Sequence, residues 1–251
     1  MSTCRLFVDP PGEGAWNMAV DEALLADAAD CRVASLRFYQ WRQPTLSLGY
    51  FQSWADRPLH DLEVVRRPSG GGALLHDREL TYAAVLPASH SLARGSTALY
   101  EAVHGALMEA LAELGLATRF HRDGGGESGQ VTDNDYFCFV RRSEFDILAT
   151  DALGCPATKV VGSAQRRRRG AVLQHGAILL AASPHAPELG GILECTGADL
   201  SPQSLIESLV PRMAVALSMR LAAAESTESL DPERIQNLAQ RYGSTAWLGR
   251  R

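Results

Sequence analysis

The chain has 251 residues, 46% of them hydrophobic and 21% charged, the proportions of a soluble globular protein with apolar material for one sizeable core. That excludes a mainly disordered chain, and a net charge of -5 argues against a protein held to nucleic acid by basic charge. No apolar run approaches the length of a membrane-spanning helix, and the opening MSTCRLFVDP lacks the basic-then-apolar layout of an export signal.

In chain order, residues 5–9 predict a short strand and 15–29 a helix with Trp16, Ala19, Val20, Ala23, Leu24 and Ala28 on one stripe. Three β-rich runs follow at 35–41, 45–51 and 62–66, separated by Pro44 and Pro58. After the glycines at 70–72, the runs 73–76 and 80–86 predict a hairpin. Residues 97–114 predict the clearest helix, with Leu99, Val103, Leu107, Leu111 and Leu114 on a common face and Gly115 at its end. The segment 121–135 is polar and glycine-rich and reads as a loop. Short β runs are expected near 137–140, 144–149 and 159–164, then a turn at 166–170 leading into 171–180. Helical patterns at 201–224 and 231–242 close the series. Strands outnumber helices and rarely alternate with them, so the expectation is an α+β (α/β) domain. Its sheet is mixed and largely antiparallel, flanked by helices, and 1–251 form a single domain.

Five cysteines stand far apart at Cys4, Cys31, Cys138, Cys155 and Cys195, with no CxxC pair. This fits neither a zinc site nor a disulfide scaffold, and it suits a reducing cytoplasm. Lys159 is the single lysine; every other basic residue among the 24 is arginine. A lysine ammonium can be tuned to exchange protons and arginine cannot, so Lys159 is a candidate chemical group, with a surviving surface lysine as the plain alternative.

Two constellations surround it. The first is Arg66-Arg67-Pro68-Ser69-Gly70-Gly71-Gly72 followed by Ala73-Leu74-Leu75-His76-Asp77, a glycine turn after a strand that leaves backbone open to a ligand. The second is Lys159-Val160-Val161-Gly162-Ser163-Ala164-Gln165, four arginines at 166–169, then a strand carrying Gln174-His175-Gly176. Simple alternation without a bulge puts Lys159, Val161 and Ser163 on one face. Gly162 and Gly176 mark points of close approach, and His175 orients a polar group or serves as a bonded structural histidine. The arginines form a solvated turn or a docking point for an acidic partner. Cys138, within Tyr136-Phe137-Cys138-Phe139, and Cys155, between Gly154 and Pro156, are rival nucleophiles; an inert buried thiol is the ordinary alternative. The glycines fit neither the GxGxxG nor the P-loop pattern.

Together, RRPSGGGALLHD, KVVGSAQ, the basic turn and LQHGAILL resemble the family of lipoate–protein ligases, octanoyltransferases and biotin–protein ligases over roughly residues 15–215. The resemblance implies a sheet like that of class II aminoacyl-tRNA and biotin synthetases. The cysteine followed by phenylalanine ahead of the KVVGSAQ segment is similar to the cysteine-dependent octanoyltransferase type. It implies Cys138 as acyl-carrying nucleophile and Lys159 as active-site lysine. It further implies an acyl pocket that includes Arg67, Ser69, Gly70, Gly71, Gly72, His76, Gly162, Ser163, His175 and Gly176. The donor is then octanoyl-acyl carrier protein and the acceptor a lipoyl domain such as glycine-cleavage H protein, with no ATP, metal, nucleic acid or membrane. An ATP-dependent lipoate ligase and a non-catalytic acyl-protein binding module are the alternatives. The stretch 151–158 ahead of Lys159 departs from the pattern.

Overall fold

The structure is a computed structural model that describes residues 2–124, 137, 139, 142–149, 157–224, 226–227 and 230–250. Its centre is an eight-stranded sheet in the order β11-β1-β2-β6-β10-β9-β8-β7. The strands are β1 (Thr3–Val8), β2 (Ala34–Tyr39), β6 (Glu79–Leu86), β7 (Thr118–Phe120), β8 (Ile147–Ala149), β9 (Thr158–Arg168), β10 (Ala171–Leu179) and β11 (Arg220–Ala223). Pairing is parallel at β11-β1 and β1-β2 and antiparallel at every junction from β2 to β7, which is the mixed, largely antiparallel arrangement expected. A second sheet of three strands runs β4-β3-β5, from Glu63–Arg66, Thr45–Leu48 and Leu74–His76.

Helices cover both faces of the large sheet. Helix α1 (Gly14–Asp30) buries Ala19, Val20, Ala23, Leu24 and Ala28 together with Phe7, Tyr39, Val85 and Leu173. Its outer side is closed by α5 (Pro232–Tyr242) through Ile235 and Tyr242. On the opposite face, α2 (Ala98–Glu113) inserts Leu99, Val103, Leu107 and Leu111 among Leu36, Phe38, Val160, Val161 and Ile178. Helix α4 (Pro202–Ala216) packs beside α2 with Leu205, Leu209 and Met213. Each buried leucine contributes about 1.5–3 kcal/mol of transfer free energy, so these two stripes dominate what holds the layers together. Two short helices, α3 (Ile192–Thr196) and α6 (Thr245–Leu248), fill the edges.

Four expectations are corrected. The runs around 73–76 and 80–86 are not a hairpin: β5 pairs with β3 in the small sheet, while β6 joins β2 and β10 in the large one. The arginine turn is tighter than 166–170. Strand β9 continues through Arg168, and Arg169 and Gly170 alone turn the chain, both with positive φ (46° and 81°), as a two-residue hairpin requires. The helix expected over 201–224 ends at Ala216; Ser218, at φ 52°, breaks it, and Arg220–Ala223 becomes the edge strand β11. Alternation along β9 is also interrupted. Ile147 pairs with Val161 but Leu148 with Lys159, so Val160 is a bulge.

Candidate active site

The bulge decides which way Lys159 points. Val160 and Val161 both enter the core beneath α2, and Lys159 returns to the other face, where its side chain lies under Gly162. Lys159, Val161 and Ser163 therefore do not share a face. Ser163 turns its hydroxyl to His104 of α2, 2.7 Å away. A Cβ on Gly162 would stand 2.7 Å from Lys159 Cε and 3.1 Å from Nζ, so the glycine makes room for the lysine.

Lys159 Nζ sits 2.7 Å from Asp146 Oδ2, both side chains under 5% exposed. Asp146 Oδ2 also accepts the Ser143 backbone N–H at 2.6 Å. The Phe139 ring covers the ammonium, its centroid 5.1 Å from Nζ. A buried ammonium held in this way is a fixed positive charge in a low-dielectric setting, able to stabilise a developing oxyanion.

Beside this pair runs a slot between the two sheets. Arg67, His76, Gly162, Ser163, His175 and Gly176 line it, with Met18, Tyr39, Trp41 and Leu74 as its apolar walls. Residues Tyr39, Thr81, Ala177 and Gly162 stand in one row across β2, β6, β10 and β9. Three strand spacings make that row about 14 Å long. His76 stacks on Trp41, ring centroids 3.8 Å apart, and gives its Nδ1 to Glu79 Oε1 at 2.6 Å. Gly176 is obligatory for packing, since a Cβ would meet Ser163 Cβ at 2.6 Å and the Gly162 carbonyl at 2.7 Å.

The glycine loop is held from below. Arg67 donates to the carbonyls of Gly70 and Gly72 at 2.7 and 2.6 Å and to Ser47 at 2.9 Å. Gly71, at φ 93°, takes a conformation that L side chains avoid. Ser69 is not on the slot surface; its hydroxyl meets His175 Nε2 at 2.5 Å. His175 Nδ1 in turn lies 2.9 Å from Asp21 Oδ2, which also accepts from Tyr39. Arg37, wholly buried, bonds the other oxygen of Asp21 at 2.9 Å and Asp9 at 2.7 Å. His175 is thus oriented from both ring nitrogens.

Behind the sheet, His104 gives Nδ1 to the Phe145 carbonyl at 2.6 Å. That oxygen only accepts, so the proton sits on Nδ1 and Nε2 accepts from Ser163. Burial pushes the His104 pKa down to about 4, with the Phe145 hydrogen bond and the nearby Asp146 charge opposing.

The structure brings Arg67, His76, Gly162, Ser163, His175 and Gly176 together around the slot and sets Lys159 beneath Gly162, whereas Ser69, Gly70, Gly71 and Gly72 are not part of its lining. Asp146, Asp21 and His104 were missed in the sequence. Asp146 is the one acidic residue in the apolar run Phe145–Ala149, Asp21 shares the gap between Met18–Val20 and Ala23–Leu25 with Glu22 but alone of the two is fully buried, and His104 interrupts the apolar stripe of α2. That pattern, a lone titratable group on a buried face, is the signal that could have found them. Cys138 and Cys155 lie outside the described residues, as do most of the loop 121–135 and of the stretch 151–158. Phe137, one neighbour of Cys138, bridges Ala73 beside the glycine loop, and Phe139, the other, covers Lys159. The described cysteines are elsewhere: Cys4 in the core, its thiol raised by burial to about 12, Cys31 exposed, and Cys195 in α3.

Solved structures of the same architecture are lipoate–protein ligases. A lipoate–protein ligase A bound with ATP superposes with a TM-score of 0.74 at 23% identity, covering 99% of this chain and 98% of its own. The bi-partite lipoate protein ligase of Thermoplasma acidophilum gives 0.74 at 21%, covering 99% and 97%. In sequence, octanoyltransferase LipM of Kyrpidia tusciae is 34% identical over 98% of this chain and 98% of its own length. LipM of Carboxydothermus hydrogenoformans is 38% identical over 72% and 66%. The profile of the lipoyl protein ligase A/B catalytic domain matches residues 13–240. The chain belongs to the lipoyl protein ligase A/B family and, with these relatives, to the octanoyltransferases within it.

Proposed function

We propose that this acyltransferase moves an octanoyl group from acyl carrier protein to a lysine of a lipoyl domain, glycine-cleavage H protein among them, through a thioester on Cys138. The observation that carries the reading is the junction at Gly162, where a narrow, largely apolar slot meets the buried Lys159–Asp146 pair. The flanking positions of Phe137 and Phe139, one beside the glycine loop and one over Lys159, support Cys138 as the nucleophile. A lipoyl-domain acceptor is supported by the Thermoplasma acidophilum neighbour, described with its E2 lipoyl domain as one lipoylation system.

The chemistry has two steps. Cys138 thiolate attacks the donor thioester, a tetrahedral oxyanion forms beside the Lys159 ammonium, the carbon–sulfur bond to the carrier breaks, and the carrier leaves as a thiolate that takes up the proton lost earlier by the Cys138 thiol. The neutral acceptor amine then attacks the acyl-cysteine, the cysteine leaves as thiolate, the amine's proton passes to solvent, and a stable amide remains. The donor is already an activated thioester, so ATP and metal have no step to perform. The reaction suits a reducing cytoplasm, where thiolates persist, and one catalytic domain spanning 1–251.

The test is intact-mass measurement after brief exposure to octanoyl-acyl carrier protein without ATP, followed by peptide mapping and hydroxylamine treatment. The expected result is a hydroxylamine-labile octanoyl group on the Cys138 peptide, absent from Cys138→Ser and retained by Cys155→Ser. Label on the Cys155 peptide overturns the nucleophile. Attachment of free lipoate only with ATP, with no acyl-enzyme, points instead to a ligase.

A further inference from the structure

Strand β9 carries the slot face beyond the slot. Gly162 and Ala164 line the slot, and Arg166 and Arg168 follow at the same alternation, paired with Leu173 and Ala171. Arg167 points to the other side and is spent on the carbonyls of Ala93 and Gly95, and Arg169 is paired with Asp30. Arg166 lies over the ring of Tyr50, its guanidinium carbon 5.4 Å from the centroid. Arg250 reaches the same ring at 5.0 Å and Trp247 at 4.7 Å. Phe51 stands edge-on to Tyr50 and is 64% exposed, while its ring flanks Gly70 of the glycine loop. Among the described residues, Arg166, Arg168 and Arg250 have no carboxylate within ion-pair distance. In a chain of net charge -5, this is a basic patch with an aromatic anchor on one lip of the slot.

We propose that this patch docks the acidic acyl carrier protein that delivers the thioester, with Phe51 as the apolar anchor and Arg166, Arg168 and Arg250 as the charges. The inference rests on the donor named above and adds where that donor sits. Reach separates it from the acceptor. Arg166 is seven residues along β9 from Lys159, about 20 Å once the bulge is discounted. A lysine side chain extends only about 6 Å, so a lipoyl domain must bring its own surface to the Lys159 end. A thioester on a phosphopantetheine-type arm of some fifteen bonds spans about 19 Å and reaches Lys159 while its protein stays on the patch. The acceptor is left free to approach the Lys159 end directly.

The experiment compares three KM values at low salt for wild type, the Arg166→Glu/Arg250→Glu double variant, and Phe51→Ala. The substrates varied are octanoyl-acyl carrier protein, octanoyl-N-acetylcysteamine as a donor without protein, and the lipoyl domain. Expected is a rise of about tenfold in KM for the carrier-bound donor in the double variant, shrinking in 0.5 M salt, with the small thioester and lipoyl-domain values within twofold. Phe51→Ala raises the carrier KM about fivefold without the salt dependence. Turnover on the small thioester serves as the folding control. An unchanged carrier KM, or a rise confined to the lipoyl domain, overturns the surface. A wild-type enzyme that takes octanoyl from the small thioester but never from the carrier overturns the donor itself.

Discussion

Gly162 shows how closely single atoms are set at this site. Adding one methyl there, Gly162→Ala, pushes the Lys159 amine off Asp146, because the nearest displaced atoms are Cε and Nζ. A shift near 1 Å costs about 100-fold in rate when geometry carries catalysis. Steady-state assays should therefore show kcat down about 100-fold while the thermal midpoint moves only a few degrees. Asp146→Asn removes the counter-ion and leaves an ammonium buried without it. Breaking a buried pair in this way costs about 3–5 kcal/mol, which urea denaturation at pH 7 should register together with lost transfer. Lys159→Arg keeps a positive charge but has a broad planar head that the space under Gly162 does not accept; folded protein with turnover reduced at least 100-fold is expected in the acyl-transfer assay. At this scale the sequence was readable where composition singled a residue out, as with the one lysine or the glycine triplet. It was silent on Asp146, because the contact with Lys159 joins a loop to a strand and has no periodicity of its own.

Between elements, the bulge at Val160 and the histidine behind it do one job. His104 ties the carbonyl of Phe145, next to Asp146, to the hydroxyl of Ser163, next to Gly162. The two segments that hold the ion pair are thus fastened from the opposite face of the sheet. The histidine is neutral when folded, with a pKa near 4, against about 6.5 when unfolded. A depressed histidine pKa means the unfolded chain binds the proton more readily, so this contribution is complete above pH 6.5 and is lost as pH falls toward 4. At pH 5 the loss is about 2 kcal/mol. Urea titrations at pH 7.5 and pH 5 should show wild type losing that much more stability than His104→Gln. Among the elements, helices α2 and α5, with one apolar stripe each, and α1, with its continuous run of helix formers, were legible in the sequence. Those decided by partners were not: Arg220–Ala223 has helix-forming residues but pairs as a parallel strand with β1, and β9 runs through arginines because β10 supplies its ladder. The bulge itself is set by pairing with β8, which no local pattern announces.

Across the whole molecule, the glycine loop is secured by a segment distant in the chain. Arg66, fully buried, donates twice to the Leu248 carbonyl, at 3.1 and 2.5 Å, and to the carbonyls of Gly49 and Gln52. Trp247 returns a bond from its indole N–H to the Arg66 carbonyl at 2.9 Å. Removing residues 245–251 strips the two Leu248 bonds from a charged group that stays buried, at about 1.5–3 kcal/mol for each charged hydrogen bond. The shortened protein should melt lower than wild type, and its acyl transfer should fall even at temperatures where it remains folded; calorimetry and the transfer assay check each part. The mixed sheet and its flanking helices could be inferred from the order of motifs, whereas this latch could not, since 182 residues separate its ends. That separation has a consequence in time. A ribosome adding about 5–20 residues per second needs about 10–40 s to travel from Arg66 to Leu248. Throughout that interval the nascent Arg66 lacks its final acceptor, so the site matures only once α6 has emerged, and an acyl donor meeting the growing chain earlier finds no finished enzyme.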